Sequence, residues 1–364
     1  MHVCHFSDTS ISGSFFENLA RGLSSEGVEI TLMTLGTSEK PQWAETIPGV
    51  NFVSLGADKK IFYPKALCGL FSTLNKQDID ILQTHLYYPG LLGVLSKYFG
   101  HKKPVILTRH HSGVVRMLGS RFHIAADRWM AEKADLIVAA SGGTANYARD
   151  IDRVKNTIQT IYYGFDFAKL NYSSESRSEI REAFNIGSNE ILVGYIGNFI
   201  SGKGHIELLR AFRKSGLPNG KLALIGRGEL SEVTQYIEQN GLGEKVILPG
   251  FRTDVAECLS AMDVFVQPSL SEAFSQVLIE AMGVGLPVIA TNVGGAAEVL
   301  EKDAYGLLIE PGDIDAMAER ITYLYKDPQE RKRFAEAGKK KVRSSYTVER
   351  MVTEHIRLYE DLLK

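Results

Sequence analysis

The chain has 364 residues, of which 44% are hydrophobic and 23% charged, with a formal net charge of -2; this is the profile of a folded protein of two ordinary domains and not of a disordered segment. The near-neutral balance argues against a general nucleic-acid binder, and three widely scattered cysteines, Cys4, Cys68 and Cys258, cannot all pair, so a reduced, cytoplasmic setting is expected. The N-terminus, Met-His-Val-Cys-His-Phe-Ser-Asp, lacks a basic region followed by a long apolar one, so no signal peptide is expected, and no run nears the roughly 20 apolar residues of a membrane span.

Short apolar, β-branched runs alternate with longer helical patterns from end to end. In the first half the predicted strands are Val3–Phe6, Ile30–Leu35, Asn51–Leu55, Ile79–Gln83, Val105–Thr108, Leu136–Ala140 and Ile158–Tyr162. In the second half they are Ile191–Ile196, Leu222–Ile225, Val246–Leu248, Val264–Gln267, Val288–Ala290 and Leu307–Ile309. Strands spaced by helices predict an α/β chain of two doubly wound parallel sheets. The polar, aperiodic stretch Asn171-Tyr-Ser-Ser-Glu-Ser-Arg-Ser reads as a linker, with a domain junction near residues 165–178. A final amphipathic helix is expected over Val348–Leu363, with Met351, Ile356, Tyr359, Leu362 and Leu363 apolar.

The loops after the strands carry the polar chemistry, because ligands of open α/β sheets lie at the carboxyl ends of the strands. Ser10-Ile-Ser-Gly, ending at Gly13, is a small-residue turn that lets backbone N–H groups approach a ligand, or an ordinary capped turn into a helix. His85 follows one strand, and Arg109, His110 and His111 follow another. Histidine there is a ligand contact or a structural donor. From Lys97 to Arg128 seven basic residues stand against Asp127 alone, which suits an anionic acceptor or membrane surface, or else a solvated helix face.

Gly197-Asn-Phe-Ile-Ser-Gly-Lys satisfies the phosphate-loop spacing G-x-x-x-x-G-K, but Gly204 stands where that motif needs Ser or Thr for magnesium, so a P-loop is not expected. Glu272 and Glu280 are eight positions apart, one at a helix start and the other about two turns in. A helix start favours an anion, and a carboxylate accepts hydrogen bonds from a vicinal diol. The plainer alternative is a dipole-complementing acid and a solvated helix residue. Three Asp-x-Asp pairs, Asp78/Asp80, Asp150/Asp152 and Asp313/Asp315, read as solvated turns rather than metal ligands.

Ser-Glu-Ala-Phe-Ser (271–275), then Val-Leu-Ile-Glu-Ala-Met-Gly-Val-Gly-Leu-Pro-Val-Ile-Ala-Thr-Asn-Val-Gly-Gly (277–295), closely resembles the signature of the family-4 retaining glycosyltransferases. Ala273 and Ser275 replace the two glycines of the usual Glu-Gly-Phe-Gly. The resemblance implies the GT-B fold: two Rossmann-like domains facing a central cleft, 1–168 for the acceptor and 169–345 for the nucleotide sugar, with the terminal helix 346–364 crossing back to the first.

It also implies roles. Glu280 would bind the ribose hydroxyls and Glu272 the sugar hydroxyls. Lys203, with the helix start at Phe274, Ser275 and Val277, would hold the diphosphate, approached also by Gly13. The family pattern Gly-Arg-x-x-x-x-Lys-Gly has Asn198 at its Arg position here, and Arg227 is a candidate substitute. Phe251 and Arg252 fall in the loop that holds the nucleotide base, His110 at the position that touches the transferred sugar, and His85, Arg109 and His111 on the acceptor side. The implied function is retaining transfer of a hexose-type sugar from a nucleoside diphosphate sugar to a glycan or lipid-linked saccharide, without metal or other cofactor; the expected setting is the cytoplasm, with the basic stretch from Lys97 to Arg128 allowing attachment at the inner face of a membrane. A GT-B sugar-nucleotide epimerase and a non-catalytic sugar-nucleotide binder are the alternatives, and Asn198 is the main support for the latter.

Overall fold

The computed structural model describes residues 1–8, 14–110 and 120–364. The chain divides into two compact units, Met1–Phe165 with Tyr346–Lys364, and Asp166–Ser345. In the first unit β1 (His2–Ser7), β2 (Glu29–Thr34), β3 (Val50–Ser54), β4 (Ile81–His85), β5 (Val105–Arg109), β6 (Leu136–Ala139) and β7 (Ile158–Thr160) form one sheet in the order β3-β2-β1-β4-β5-β6-β7. Every pairing in it is parallel. All residues of β1 and β4 are buried, as expected of central strands covered by helices on both faces.

The second unit repeats the plan with β8 (Ile191–Ile196), β9 (Gly220–Ile225), β10 (Val246–Gly250), β11 (Val264–Gln267), β12 (Val288–Thr291) and β13 (Leu307–Ile309), ordered β10-β9-β8-β11-β12-β13. In each sheet the order reverses once, between β1 and β4 and between β8 and β11. These two points are where the connections diverge and leave a crevice above the strand ends.

Strand ends shift by one or two residues, which makes His85 and Arg109 the last residues of β4 and β5, and two further elements differ from the sequence expectation. The polar stretch 171–178 is not an open linker, because the helix Ser174–Ala183 begins inside it. Ser173 caps that helix by accepting the Ser176 N–H at 3.1 Å, and Arg177 and Arg181 both bind the Asp263 carboxylate at the start of β11. The terminal helix Val348–Leu363 does pack in the first unit, but its buried stripe is Met351, Val352, His355, Leu358 and Tyr359. Ile356 is only partly buried and Leu363 is 43% exposed. The stripe follows the i, i+4, i+7 spacing of a helix face, with a buried histidine at its centre. That face meets the helix Ser14–Ser25 at Gly22, where a Cβ would lie 2.2 Å from Val352 Cγ2.

Among the described residues no helix is long and apolar enough to cross a membrane, and no group of three or more His, Cys, Asp or Glu side chains is placed to hold a metal. Asp80 accepts the His2 N–H, Asp313 caps the helix Ile314–Lys326, and Asp152 binds Arg109. Asp152 is therefore a buried partner rather than a solvated turn residue.

Candidate functional site

At the switch point of the second sheet the loops after β8 and β11 enclose a cavity of about 320 Å³, within the range of small-ligand sites. The loop after β8 turns back on itself, and Gly202 O accepts the Leu270 N–H at 2.8 Å, tying it to the loop after β11. Gly204 closes this loop with φ +73°, and a Cβ there would lie 2.0 Å from Pro268 O. On the other side the Gly295 N–H bonds Ala273 O at 3.1 Å. Gly294, at φ +56°, lies so close that a Cβ would meet Glu272 O at 2.4 Å and Ala273 O at 2.7 Å. Only glycine tolerates this combination of positive φ and backbone contact. Gly294→Ala is therefore expected to lower stability by about 1–3 kcal/mol, read by thermal melting. An unchanged melt would show that the 271–275 loop is not clamped there.

The helix after this loop runs Gln276–Val284 and stops at Gly285, which is in the left-handed conformation. It starts two residues later than Phe274, the expected position. Its first N–H groups have no intrahelical acceptors, and Ser275, Gln276 and Val277 line the cavity. Ser275 is held by Gln267, whose Nε2 donates to its Oγ at 2.6 Å.

Lys203 Nζ donates to Glu272 Oε2 at 2.6 Å, with side chains 25% and 16% exposed. The cation and the acid predicted from loops 69 residues apart thus share one cavity wall. Asn198, Phe251, Arg252 and Phe274 line it as well. Arg252 is pinned in place by the Asp254 carboxylate. Arg227 does not line the cavity: it is exposed and its guanidinium lies over the Phe251 ring at 5.4 Å. Ala273 contributes its carbonyl to the loop clamp instead. Glu280 stands one turn beyond the lining residue Gln276 on the same helix face. Burial pushes its carboxyl up to about 7, and no described side chain pairs with it. An acid desolvated without a partner is costly to the fold and so marks a place where chemistry is expected.

In the first unit Gly13 and His111 fall outside the described residues. His85 is fully buried and His110 partly so, and they bond to each other through His85 Nδ1 and His110 Nε2 at 2.8 Å. Arg109, expected to face an acceptor, is held by Asp127 Oδ2 and Asp152 Oδ2, each at 2.7 Å, and its side chain is 13% exposed. A cation ion-paired on both sides is a structural tie. The basic stretch is likewise partly neutralised from outside its own window, since Lys97 binds Asp135 and Lys103 binds Asp80.

Sequence reasoning missed Tyr195, Gln267 and Gln276 in the cavity wall and His5 and Tyr163 beside His85 and His110. Tyr195 and Gln267 sit at or next to the carboxyl ends of β8 and β11, so the rule that ligands lie at strand ends was the available signal. For His5 the signal was the sheet register, which a single sequence does not give, and Tyr163 lies three residues past the end of β7.

The model for glycosyl transferases group 1 matches residues 176–341, and the model for glycosyltransferase family 4 matches residues 12–169. N-acetyl-alpha-D-glucosaminyl L-malate synthase of Bacillus anthracis is 27% identical over 97% of this chain and 94% of its own length. Sucrose-phosphate synthase of Thermosynechococcus elongatus superposes with a TM-score of 0.87 at 22% identity over 100% of this chain and 99% of its own. Anabaena HepE in complex with UDP-glucose gives 0.84 at 20% identity over 99% of each chain. Two family models in tandem, two parallel sheets each with one switch point, and a full-length relative together make the chain a member of the GT-B glycosyltransferases of group 1 and family 4.

Proposed function

We propose that the protein is a retaining, metal-independent hexosyltransferase that uses a nucleoside diphosphate sugar and delivers the sugar to a glycan or lipid-linked saccharide at the inner face of a membrane. The observation that carries the reading is the Lys203–Glu272 pair inside the cavity at the carboxyl ends of β8 and β11. A diphosphate seated at the start of the 276–284 helix would meet its unpaired N–H groups and the Lys203 ammonium, and developing negative charge on a leaving phosphate is stabilised by such fixed donors. Glu272 would accept from the sugar hydroxyls, Glu280 from the ribose hydroxyls, and Phe251 and Arg252 would flank the base. That Anabaena HepE is solved with UDP-glucose supports a nucleotide sugar of this class. On the acceptor side His110 would contact the transferred sugar, with His85 shaping the same edge.

In this reading one carboxylate, not two, stands at the reacting end, so the two-carboxylate route of retaining glycosidases does not transfer. Displacement on the same face, with the leaving phosphate accepting the acceptor's proton, needs only the groups named.

The test is a panel of sugar nucleotides incubated with the protein, with and without saccharide acceptors, some lipid-linked and presented in anionic vesicles or in detergent. The expected result is acceptor-dependent release of nucleoside diphosphate, unchanged by chelator, with the anomeric configuration of the donor kept in the product. Interconversion of the donor sugar without acceptor would instead identify an epimerase. Saturable donor binding with neither reaction would identify a non-catalytic binder.

A further inference from the structure

Three histidines of the first unit stand on or just beyond three adjacent strands at its switch point. In the sheet register His5 faces Gln83, and His85 faces Thr108. His85 therefore lies two residues past the neighbour of His5, and His110 two residues past the neighbour of His85. Side chains alternate with a period of two along a strand, so each two-residue step keeps the imidazole on the same face and moves it toward the carboxyl edge. The result is a continuous chain. His5 Nδ1 meets His85 Nε2 at 3.1 Å, His85 Nδ1 meets His110 Nε2 at 2.8 Å, and His110 Nδ1 meets the Tyr163 hydroxyl. Phe15 and Phe16 pack against it, Phe15 on His110 and Tyr163 and both on His85.

The chain is neutral at its inner end, because burial pushes His5 down to about 3 and His85 well below the usual imidazole range. His355, the titratable neighbour on the terminal helix, is itself pushed down to about 4 and donates its Nδ1–H to Met351 O. A neutral imidazole has one donor and one acceptor, so linked imidazoles have only two polarities. If every Nε2 carried the proton, the chain would end inside the protein on His5 Nε2–H, a buried atom with no partner among the described residues. If every Nδ1 carries it, each N–H is satisfied, His5 Nε2 is left with an acceptor lone pair, and the proton still to be placed is the Tyr163 O–H, which can rotate to another acceptor as a ring N–H cannot. Buried orphan donors are the rarer of the two, so the second polarity is favoured.

We propose that His5 and His85 are positioning residues that lock His110 as the neutral Nδ1–H tautomer, so that His110 meets the transferred sugar as a fixed, uncharged group and not as a proton carrier. This rests on the reading of His110 as a sugar contact. Both of its ring nitrogens are engaged within the unit, so the imidazole is held in one orientation.

Nitrogen-15 spectra of the histidine-labelled full chain between pH 5 and 9 test the lock directly. His5, His85 and His110 are expected not to titrate and to be Nδ1–H throughout. Titration of any one, or an Nε2–H tautomer at any one, overturns the proposal. His85→Leu is expected to let His110 titrate and to lower kcat about tenfold or more, by analogy with other supporting hydrogen bonds, with the donor KM less than doubled. His85→Asn, which keeps a donor near the Nδ1 position, is expected to restore much of it. Equal kcat in both variants and the wild type overturns the positioning role. Full turnover in His110→Ala would remove the sugar contact while leaving the spectra to decide the chain, so the two failures are distinguishable. If His85→Leu does not fold, the wild-type spectra still decide.

Discussion

Lys203→Ala is expected to lower kcat/KM for the donor by roughly 100-fold or more. Removing one fixed donor from a developing oxyanion costs about 2.7–4 kcal/mol, and here the loss has a second part. Lys203 neutralises Glu272 at 2.6 Å, so the variant leaves an unpaired carboxylate in the wall that the diphosphate is proposed to meet. The two parts separate in the double variant Lys203→Ala/Glu272→Gln. Groups in direct contact are non-additive, and adding Glu272→Gln should recover some of the donor KM but little of kcat. Asn198→Arg is the reciprocal experiment. Asn198 is exposed and lines the cavity, and an arginine there would add a second fixed cation, so a rise in kcat is expected. Steady-state kinetics with the donor found in the panel read all three variants. A change of less than threefold on removing Lys203 would mean that the diphosphate is bound elsewhere.

Lys203 and Glu272 were legible through the resemblance, because each lies in a short stretch that matches its own family pattern. The strands were legible from local composition. β8 and β11 are short buried runs that are almost wholly apolar, as strands covered on both faces usually are, while β1 and β4 are equally buried but carry His2, His5, Gln83 and His85 among their apolar residues. What stayed hidden depends on partners far away in the chain. Arg109 reads as a free cation until Asp127 and Asp152, 18 and 43 residues on, are folded onto it. Arg177 reads as part of a polar linker until Asp263 gathers it together with Arg181. His5 sits in an apolar strand and reads as core. Only the register of β1 against β4 shows it to be the inner end of a chain reaching His110.

Glu280 presents the opposite balance of stability and binding. Its carboxyl is raised from 4.5 to about 7 by burial, so the folded state prefers it protonated. A group raised in this way contributes its full stability below the unfolded value of 4.5, loses it as the pH rises, and above about 7 carries the whole cost of a buried charge. One pKa unit is 1.36 kcal/mol, so that cost is on the order of 1–3 kcal/mol after allowance for its partial exposure. Glu280→Gln removes the charge and keeps the shape, and its melting temperature is expected to exceed that of the wild type by several degrees at pH 8. The two should converge near pH 5. Donor binding should move the other way. Ribose hydroxyls donate to the ionised carboxylate, and hydrogen bonds to a charged group are worth about 1.5–3 kcal/mol, so the variant's donor constant is expected to rise more than tenfold at pH 8. For the wild type the same constant should rise as the pH falls below 7, because a proton must then be shed before the hydroxyls can be accepted, and this dependence should vanish in Glu280→Gln. Calorimetric titration from pH 5.5 to 8.5, beside melting curves in the same buffers, measures both halves. A variant that is stabilised but binds the donor normally at pH 8 would leave Glu280 as a costly buried acid with no part in the site, whereas a variant that loses both would make it a structural residue.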